Sequence, residues 1–448
     1  MPLTTPRFTP AQAVTLSFLG LIVLGAVTLA LPLAEGPGKD IRFIDALFTS
    51  ASAVCVTGLI VLDTPNHLSL FGQIVLLLLV QAGGLGYMVL TTVVIFALGG
   101  KLSLQERTAL REQLNLQSGE RLVRFTMTVF RLTLAFELTG AAILAASWWP
   151  EHGTRSLWLG LFHAVSAFNN AGFSLFPDNL IGYRSDVVVN LVITGLIICG
   201  GLGFLVLTEL LNLKRKLPLS LQARLVVSAS AFLSVAGMLA ILVLEWDNPF
   251  SFSRLPLGEK LLAAWFQSVS ARTAGFNSID MSGLRPTTLF IIMALMFVGA
   301  SPGGTGGGVK TTTFSVTVAA LWATVRGNDD AVLFRRRLSD QLVAQAFFIC
   351  LISFLALNFV ALVLMITEPY AIMKLLFEST SAFGTVGLSV GHPGSVLSLS
   401  GHMTDGGKLL LILLMIAGRV GPLTVAVALA RRQSRPRIRY PEGRVSIG

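Results

Sequence analysis

Stretches of roughly twenty apolar residues recur along this chain, and they leave few folds open to it. Ala13 to Ala34, Ile74 to Leu98, Val187 to Leu211, Leu225 to Leu244, Phe347 to Ile366 and Leu409 to Ala430 each approach or exceed the length a helix needs to cross a hydrocarbon core. Only 12% of the 448 residues are charged, against roughly 25% in a soluble domain. The runs are therefore expected to be transmembrane helices of an all-α membrane protein. The first run outlasts a secretory h-region and leads straight on to Gly36, Pro37 and Gly38, so it is expected to stay as a span of the mature chain. Cys55, Cys199 and Cys350 lie inside apolar stretches without metal-ligand spacing and are expected to be small buried residues.

A net charge of +10 and a pI near 10.0 would suit a nucleic-acid binder, but the placement of the charge argues against one. Basic residues collect between pairs of apolar runs: Lys101, Arg107, Arg111, Arg121 and Arg124; Lys214, Arg215, Lys216 and Arg224; Arg326, Arg335, Arg336 and Arg337; and Arg431, Arg432, Arg435, Arg437 and Arg439. That is the positive-inside bias, which puts these loops and both termini in the cytoplasm of a multi-pass protein. The same charge suits anionic lipid heads of the bilayer, and no nucleic acid is expected.

Each basic loop is followed by a span, a shorter apolar segment and a returning span. The middle segment must enter and leave on the outer face, as a re-entrant loop. The four middle segments share a pattern in which a Ser-Ala pair precedes a glycine followed by Leu or Phe. The serine stands six residues ahead of Gly58, Gly172 and Gly387, but five ahead of Gly275. The glycines fall 114, 103 and 112 residues apart, close to a quarter of the chain each time. The expected architecture is thus four tandem helix–pore loop–helix repeats, over 1–100, 101–216, 217–326 and 327–448, the last ending in a basic tail. Eight transmembrane helices and four re-entrant pore helices would surround a central pore in fourfold pseudosymmetry. Gly83-Gly84-Leu85-Gly86, Gly200-Gly201-Leu202-Gly203 and Gly418-Arg419-Val420-Gly421 echo each other in the returning spans.

Ile44 to Val54, at about 1.5 Å per residue, makes a helix of about 16 Å, half of a core about 30 Å thick. Its C-terminal carbonyls carry the negative end of the helix dipole, so four such ends on one axis favour a cation there. Glycine reaches positive φ at no steric cost, which lets successive carbonyls face one lumen. Rings of carbonyls replace the hydration shell of a potassium ion, and irregular backbone at that depth is tolerated when it lines such a pathway.

Four loops carry the pattern: Val56-Thr57-Gly58-Leu59, Asn170-Ala171-Gly172-Phe173, Thr273-Ala274-Gly275-Phe276 and Thr385-Val386-Gly387-Leu388. With the run from Ser301 to Lys310, they resemble the Trk/Ktr/HKT superfamily of potassium transporters across essentially the whole chain. Without an extra hairpin before the first span, the chain is more similar to the KtrB branch than to the longer TrkH branch. The resemblance implies that these sixteen residues form the selectivity filter, with K+ at their carbonyls. In the family a glycine in each loop sets potassium preference, and serine in the first loop goes with sodium permeation in plant relatives; all four positions here are glycine. It further implies potassium uptake across a bacterial inner membrane that is sodium-dependent or sodium-stimulated. A homodimer and a cytoplasmic octameric-ring, nucleotide-binding regulatory subunit of the KtrA type go with it. A secondary symporter coupling potassium to sodium or protons is the alternative, though such proteins usually show inverted repeats and paired broken helices.

Gly299, Ala300, Ser301, Pro302, Gly303, Gly304, Thr305, Gly306, Gly307, Gly308 and Lys310 interrupt the returning span of the third repeat. Glycine costs about 1 kcal/mol and proline about 3 kcal/mol relative to alanine in a helix, so the span is expected to unwind beneath the filter. The resemblance makes this the intramembrane gating loop. A phosphate-loop reading fails because Val309, not glycine, precedes Lys310, and no nucleotide is expected on this chain. Arg419 stands inside an apolar run, where a charge is by default functional. At about 10 Å and an effective dielectric of about 20 it would repel a potassium ion by roughly 1.7 kcal/mol, a barrier rather than a plug. The resemblance supports a pore-facing role; a structural ion pair is the alternative. Arg272 is expected to brace the third loop from behind, and Glu137 to find a buried partner or to pack as a protonated acid. The five histidines form no metal-ligand pair on a helix, are expected at surfaces or interfaces, and give no support to an enzyme.

Overall fold

The computed structural model of the chain describes residues 10–86, 122–212, 218–392 and 394–421. It is helical. In chain order come α1 (Pro10–Leu29), α2 (Phe43–Val54), the one-turn α3 (Thr64–His67) and α4 (Leu70–Leu85). Next are α5 (Leu122–His152), α6 (Arg155–Phe168), α7 (Val187–Gly201) and α8 (Phe204–Leu211), then α9 (Leu221–Glu245), α10 (Leu257–Ser270), α11 (Pro286–Phe297) and α12 (Thr311–Val325). The last are α13 (Asp340–Thr367), α14 (Ile372–Gly384) and α15 (Asp405–Val420).

Two kinds of helix are distinguishable by how they start and what they bury. Helices α4, α7, α9, α13 and α15 begin on a side-chain cap, in which Ser69, Asp186, Ser220, Ser339 and Thr404 each accept a backbone N–H three residues on. Among the described residues α9, α13 and Phe125–His152 of α5 are long and apolar enough to cross a membrane. On α13 large apolar side chains such as Leu351, Phe354, Phe359 and Ile366 stand exposed, as on a helix facing hydrocarbon. The short helices α2, α6, α10 and α14 lack a side-chain N-cap and are buried through their C-terminal halves, where Val54, Phe162, Phe168, Phe266 and Phe383 are wholly enclosed.

Each short helix packs against the longer helix before it, α2 on α1, α6 on α5, α10 on α9 and α14 on α13. Each also meets a helix from elsewhere in the chain: α4 lies on α6, α7 on α10, α11 on α14 and α15 on α2, so these contacts close into a cycle. Where α15 reaches α2, the Lys408 ammonium, 2% exposed, lies 2.6 Å from Asp45 Oδ1. Arg42 pairs with the same Asp45 at 2.9 Å and with Asp405 at 3.5 Å, nearer the surface.

Several details differ from expectation. The run Val187 to Leu211 is not one span: α7 and α8 meet at 109°, because Gly203 takes φ +90 and ends the helix. The echoing glycine motifs end α4 and α15 in the same way, at Gly86 (φ +77) and Gly421 (φ +96), so interruption is not confined to the Gly299 to Gly308 stretch. The chain is also not wholly α. A minimal hairpin pairs β1 (Val332–Leu333) with β2 (Arg336–Arg337) across Phe334 and Arg335, both left-handed as a two-residue I′ turn requires. The basic stretches at 101–121, 214–216 and 431–439, and the ends of the runs Ile74 to Leu98 and Leu409 to Ala430, fall outside the described residues. Cys55 is buried, Cys199 and Cys350 are half-buried, and all three are free thiols.

Candidate functional site

At the C-terminal ends of α2, α6, α10 and α14 the backbone makes the same turn four times. The residue two before each glycine is left-handed: Val56 (φ +51), Asn170 (φ +58), Thr273 (φ +73) and Thr385 (φ +49). The glycines follow at +90, +70, +78 and +94, and the residue between each pair has negative φ. This alternation of sign swings successive carbonyls to one side of the strand. Three of the four left-handed residues that precede the glycines are β-branched, for which that conformation is a true outlier costing on the order of 1–3 kcal/mol.

The repeated serine explains how the turn is held. Ser52 Oγ accepts from Gly58 N–H at 3.0 Å and donates to the Leu59 carbonyl at 2.9 Å. Ser166 donates to Phe173 O at 2.8 Å, Ser270 to Phe276 O, and Ser381 accepts from Gly387 N–H at 3.0 Å. The serine carbonyl also closes the turn, accepting from Thr57, Ala171 and Val386 five residues on. In the third loop it accepts from Ala274, four residues on, so the missing residue is absorbed inside the turn and the glycine keeps its place.

The four glycines meet. A Cβ on Gly58 would strike the Ala171 carbonyl oxygen, one on Gly172 would lie 2.7 Å from that of Ala274, one on Gly275 would strike that of Val386, and one on Gly387 that of Thr57. The order 58, 172, 275, 387 thus returns on itself. All four glycines line one cavity of about 340 Å³, whose walls also carry Asp63, Asp178, Asp280 and His392. Three carboxylates at its rim give it a negative field. His402 packs at a tilt against His392 with ring centroids 4.9 Å apart, and burial, then the neighbouring His392 and Lys408, hold its imidazole below the ordinary pKa.

Beneath the turns, residues 298–310 leave the helical path between α11 and α12. The stretch is hydrogen-bonded into its surroundings rather than loose: Ser301 and Thr305 donate to Gly201 O and Gly200 O at 3.0 and 3.1 Å, and Gly308 donates to Gly418 O at 3.2 Å. Gly307 N–H reaches Thr385 Oγ1 at 2.9 Å, and a Cβ on Gly306 would strike the Thr273 hydroxyl. Lys310 Nζ turns back onto Gly306 O at 2.8 Å. Arg419 donates to Thr305 O with one guanidinium nitrogen and to Gly83 O with the other, which also lies 3.3 Å from Gly84 O. It therefore links the ends of α4 and α15 to the unwound segment. Among the described residues its partners are backbone carbonyls and no carboxylate pairs with it.

Arg272 stands behind the third turn, donating to Ser230 O at 3.1 Å and Ser230 Oγ at 3.2 Å on α9. Glu137 is 2% exposed and its partners are amides: Gln81 Nε2 donates to it at 3.2 Å and Asn169 Nδ2 at 2.9 Å. His163 departs from the surface expectation. It is fully buried on α6, against Trp148 and Phe176. Sequence reasoning also missed the glycines that seat the turns: Gly83, Gly200 and Gly418 have no room for a Cβ against the carbonyls of Val54, Phe168 and Phe383. The echoing Gly-x-x-Gly motifs were the available signal.

A family model described as TrkH, cation transport protein, matches residues 9–438. The chain is 40% identical over 443 residues to Ktr system potassium uptake protein B of Bacillus subtilis, covering 99% of this chain and 97% of that protein. It is 39% identical to the protein of the same description from Vibrio alginolyticus, covering 98% and 94%. To the potassium/sodium uptake protein NtpJ of Enterococcus hirae it is 34% identical, covering 99% and 98%. The crystal structure of the potassium transporter TrkH from Vibrio parahaemolyticus superposes with a TM-score of 0.76 over 96% of this chain and 86% of that one, at 19% identity.

Proposed function

The chain belongs to the TrkH family of cation transport proteins, and from that membership we propose how it moves its ion. It is a potassium uptake transporter of the Ktr/TrkH type, in a family of membrane transporters rather than of enzymes. The proposed conduit is a fourfold pseudosymmetric pore of eight spans and four pore helices, α2, α6, α10 and α14. The observation that carries this reading is the closed cycle of glycines, in which each loop's glycine touches the preceding carbonyl of the next loop.

In that pore the carbonyls of residues 56–59, 170–173, 273–276 and 385–388 take the place of water around a bare K+. The C-terminal ends of the four pore helices add negative potential at the same point, and Asp63, Asp178 and Asp280 raise the local cation concentration above it. No side-chain ligand is required. Preference for potassium comes from oxygens held at fixed spacing by the serine hubs, which a smaller ion would have to collapse.

Below the filter, Gly299 to Lys310 acts as the gate and Arg419 as its catch and as an electrostatic barrier. The hydrogen bonds from Thr305 and Gly308 to neighbouring helices support a closed position, and breaking them opens the path. Sodium stimulation is supported by the description of the NtpJ relative as a potassium/sodium uptake protein. The word system in the relatives' descriptions supports a separate regulatory subunit, for which we propose a cytoplasmic nucleotide-binding ring docking on the basic loops of a homodimer. The bacterial plasma membrane is the proposed location.

The test is uptake of rubidium and sodium in cells lacking potassium uptake, for the native chain and for Gly58→Ser. Rubidium entry in large excess over sodium for the native chain, and a fall in that ratio for the variant, is the expected result. Equal entry of both ions in both proteins would end the filter reading.

A further inference from the structure

The filter loops are held in two different ways, and the difference singles out two buried side chains. His163 stands nine residues ahead of Gly172, and Glu378 nine ahead of Gly387; both are fully buried. Each reaches a serine two residues beyond its glycine. His163 Nδ1 lies 2.8 Å from the Leu159 carbonyl and can only donate there, which leaves Nε2 as an acceptor 3.0 Å from Ser174 Oγ and 3.4 Å from Leu175 N. Glu378 Oε2 accepts from Ser389 Oγ at 2.6 Å, and Oε1 accepts from Ser400 N–H at 2.9 Å. Each serine hydroxyl then accepts the N–H two residues further on, from Phe176 at 3.0 Å and Gly391 at 3.1 Å.

The matched positions in the other two loops do not do this. The Thr49 hydroxyl turns back on Asp45 O of its own helix at 2.7 Å, and the Gln267 amide lies on Met281 Sδ at 3.2 Å. These loops instead lean on the segments that Glu378 and His163 hold. Ile60 exchanges two hydrogen bonds with Ser398, both 3.0 Å, two residues from Ser400. Asn277 O accepts from Leu180 N–H at 3.1 Å and its own N–H reaches Asn179 at 3.4 Å. Asn179 in turn donates its N–H to the carbonyl of Phe176 at 3.1 Å, the residue whose own N–H reaches Ser174 Oγ.

We infer that His163 and Glu378 are the two positioning residues of the filter, each fixing the outer end of its own loop through Ser174 or Ser389 and of one neighbouring loop through the segment beyond. The inference rests on the filter reading proposed above and adds specificity-determining residues that never touch the ion. A filter held at two opposite posts loses ion discrimination when either post is loosened, because carbonyls free to close on a smaller ion no longer exclude it.

The experiment compares rubidium and sodium uptake by the full chain in cells lacking potassium uptake, with membrane protein levels measured for each variant. Ser174→Ala and Ser389→Ala each remove one hydroxyl and are expected to lower the rubidium-to-sodium ratio about fivefold, the factor that one net hydrogen bond corresponds to. Glu378→Gln should lower the ratio about as far as Ser389→Ala, because Ser389 Oγ already accepts from Gly391 and Leu399 N–H and has no place for an amide donor. Adding Ser389→Ala to Glu378→Ala should lower it no further than Glu378→Ala alone. Thr49→Ala should leave it at the native value. If Gly58→Ser collapses the ratio while both serine variants keep it, the two posts are overturned and the filter stands; if Gly58→Ser also leaves it unchanged, the filter reading falls and the posts with it.

Discussion

Gly387 faces the carbonyl oxygen of Thr57 so closely that even a methyl group could not be placed between them, although the two residues lie at opposite ends of the chain. This contact closes the cycle of loops, and it determines what substitution there does. A side chain on any of these glycines must be accommodated twice, once against the neighbouring oxygen and once in a φ between +70 and +94 that side chains disfavour.

For Gly58→Ser or Gly387→Ser the strain is on the order of 1–3 kcal/mol, so the rubidium-to-sodium uptake ratio is expected to fall by roughly tenfold or more. Uptake assayed with each ion alone measures it, and an unchanged ratio would remove these glycines from the conduction path.

Arg419→Ala removes both the proposed barrier of roughly 1.7 kcal/mol and the donors to Thr305 and Gly83, so basal flux should rise up to about twentyfold. Arg419→Lys separates the two effects. It retains the charge but has no planar fork to reach two carbonyls, and a flux as high as that of the alanine variant would show that the catch matters more than the charge.

Deletion of Gly303 to Gly308 takes away the segment that bonds to Gly200 and Gly418. Flux through the shortened chain is expected to exceed the native rate, with some loss of ion ratio because the Gly307 N–H that reaches Thr385 Oγ1 in the fourth turn goes with the segment. A chain that conducts at the native rate would make the stretch a passive kink.

Lys408→Met leaves Asp45 buried at the head of α2 with only the more exposed Arg42 beside it. Stability against heat in detergent should drop by about 3–5 kcal/mol, and Asp45→Leu added to it should restore most of the loss. If the double variant is no better than the single one, the pair is not what fastens α15 to α2.

Much of this was legible in the chain because the turn is written by local spacing. A serine hydroxyl six residues ahead of a glycine meets that glycine's N–H directly, so Ser52 with Gly58 and Ser381 with Gly387 betray the loop before any tertiary contact is known. The spans were visible for the same reason, since hydrocarbon demands an unbroken apolar run. Left-handed Val56, Thr273 and Thr385 were not legible: their side chains prefer extended backbone, and only the packing around them overrides that preference. The 109° bend falls at Gly200-Gly201-Leu202-Gly203, a motif visible in the sequence, but nothing local says that Gly203 takes φ +90 there rather than continuing the helix. Partners such as Asn169 for Glu137, or Thr305 for Arg419, lie 32 and 114 residues away, and no periodicity records contacts of that kind.

The packing of α15 on α2 has a consequence for how such a protein is made. During synthesis α2 is made long before residue 405 leaves the ribosome, and its Asp45 then has no ammonium to meet. Until α15 is made, Asp45 has only Arg42 beside it, so among the described helices the seam between α2 and α15 is the last to close.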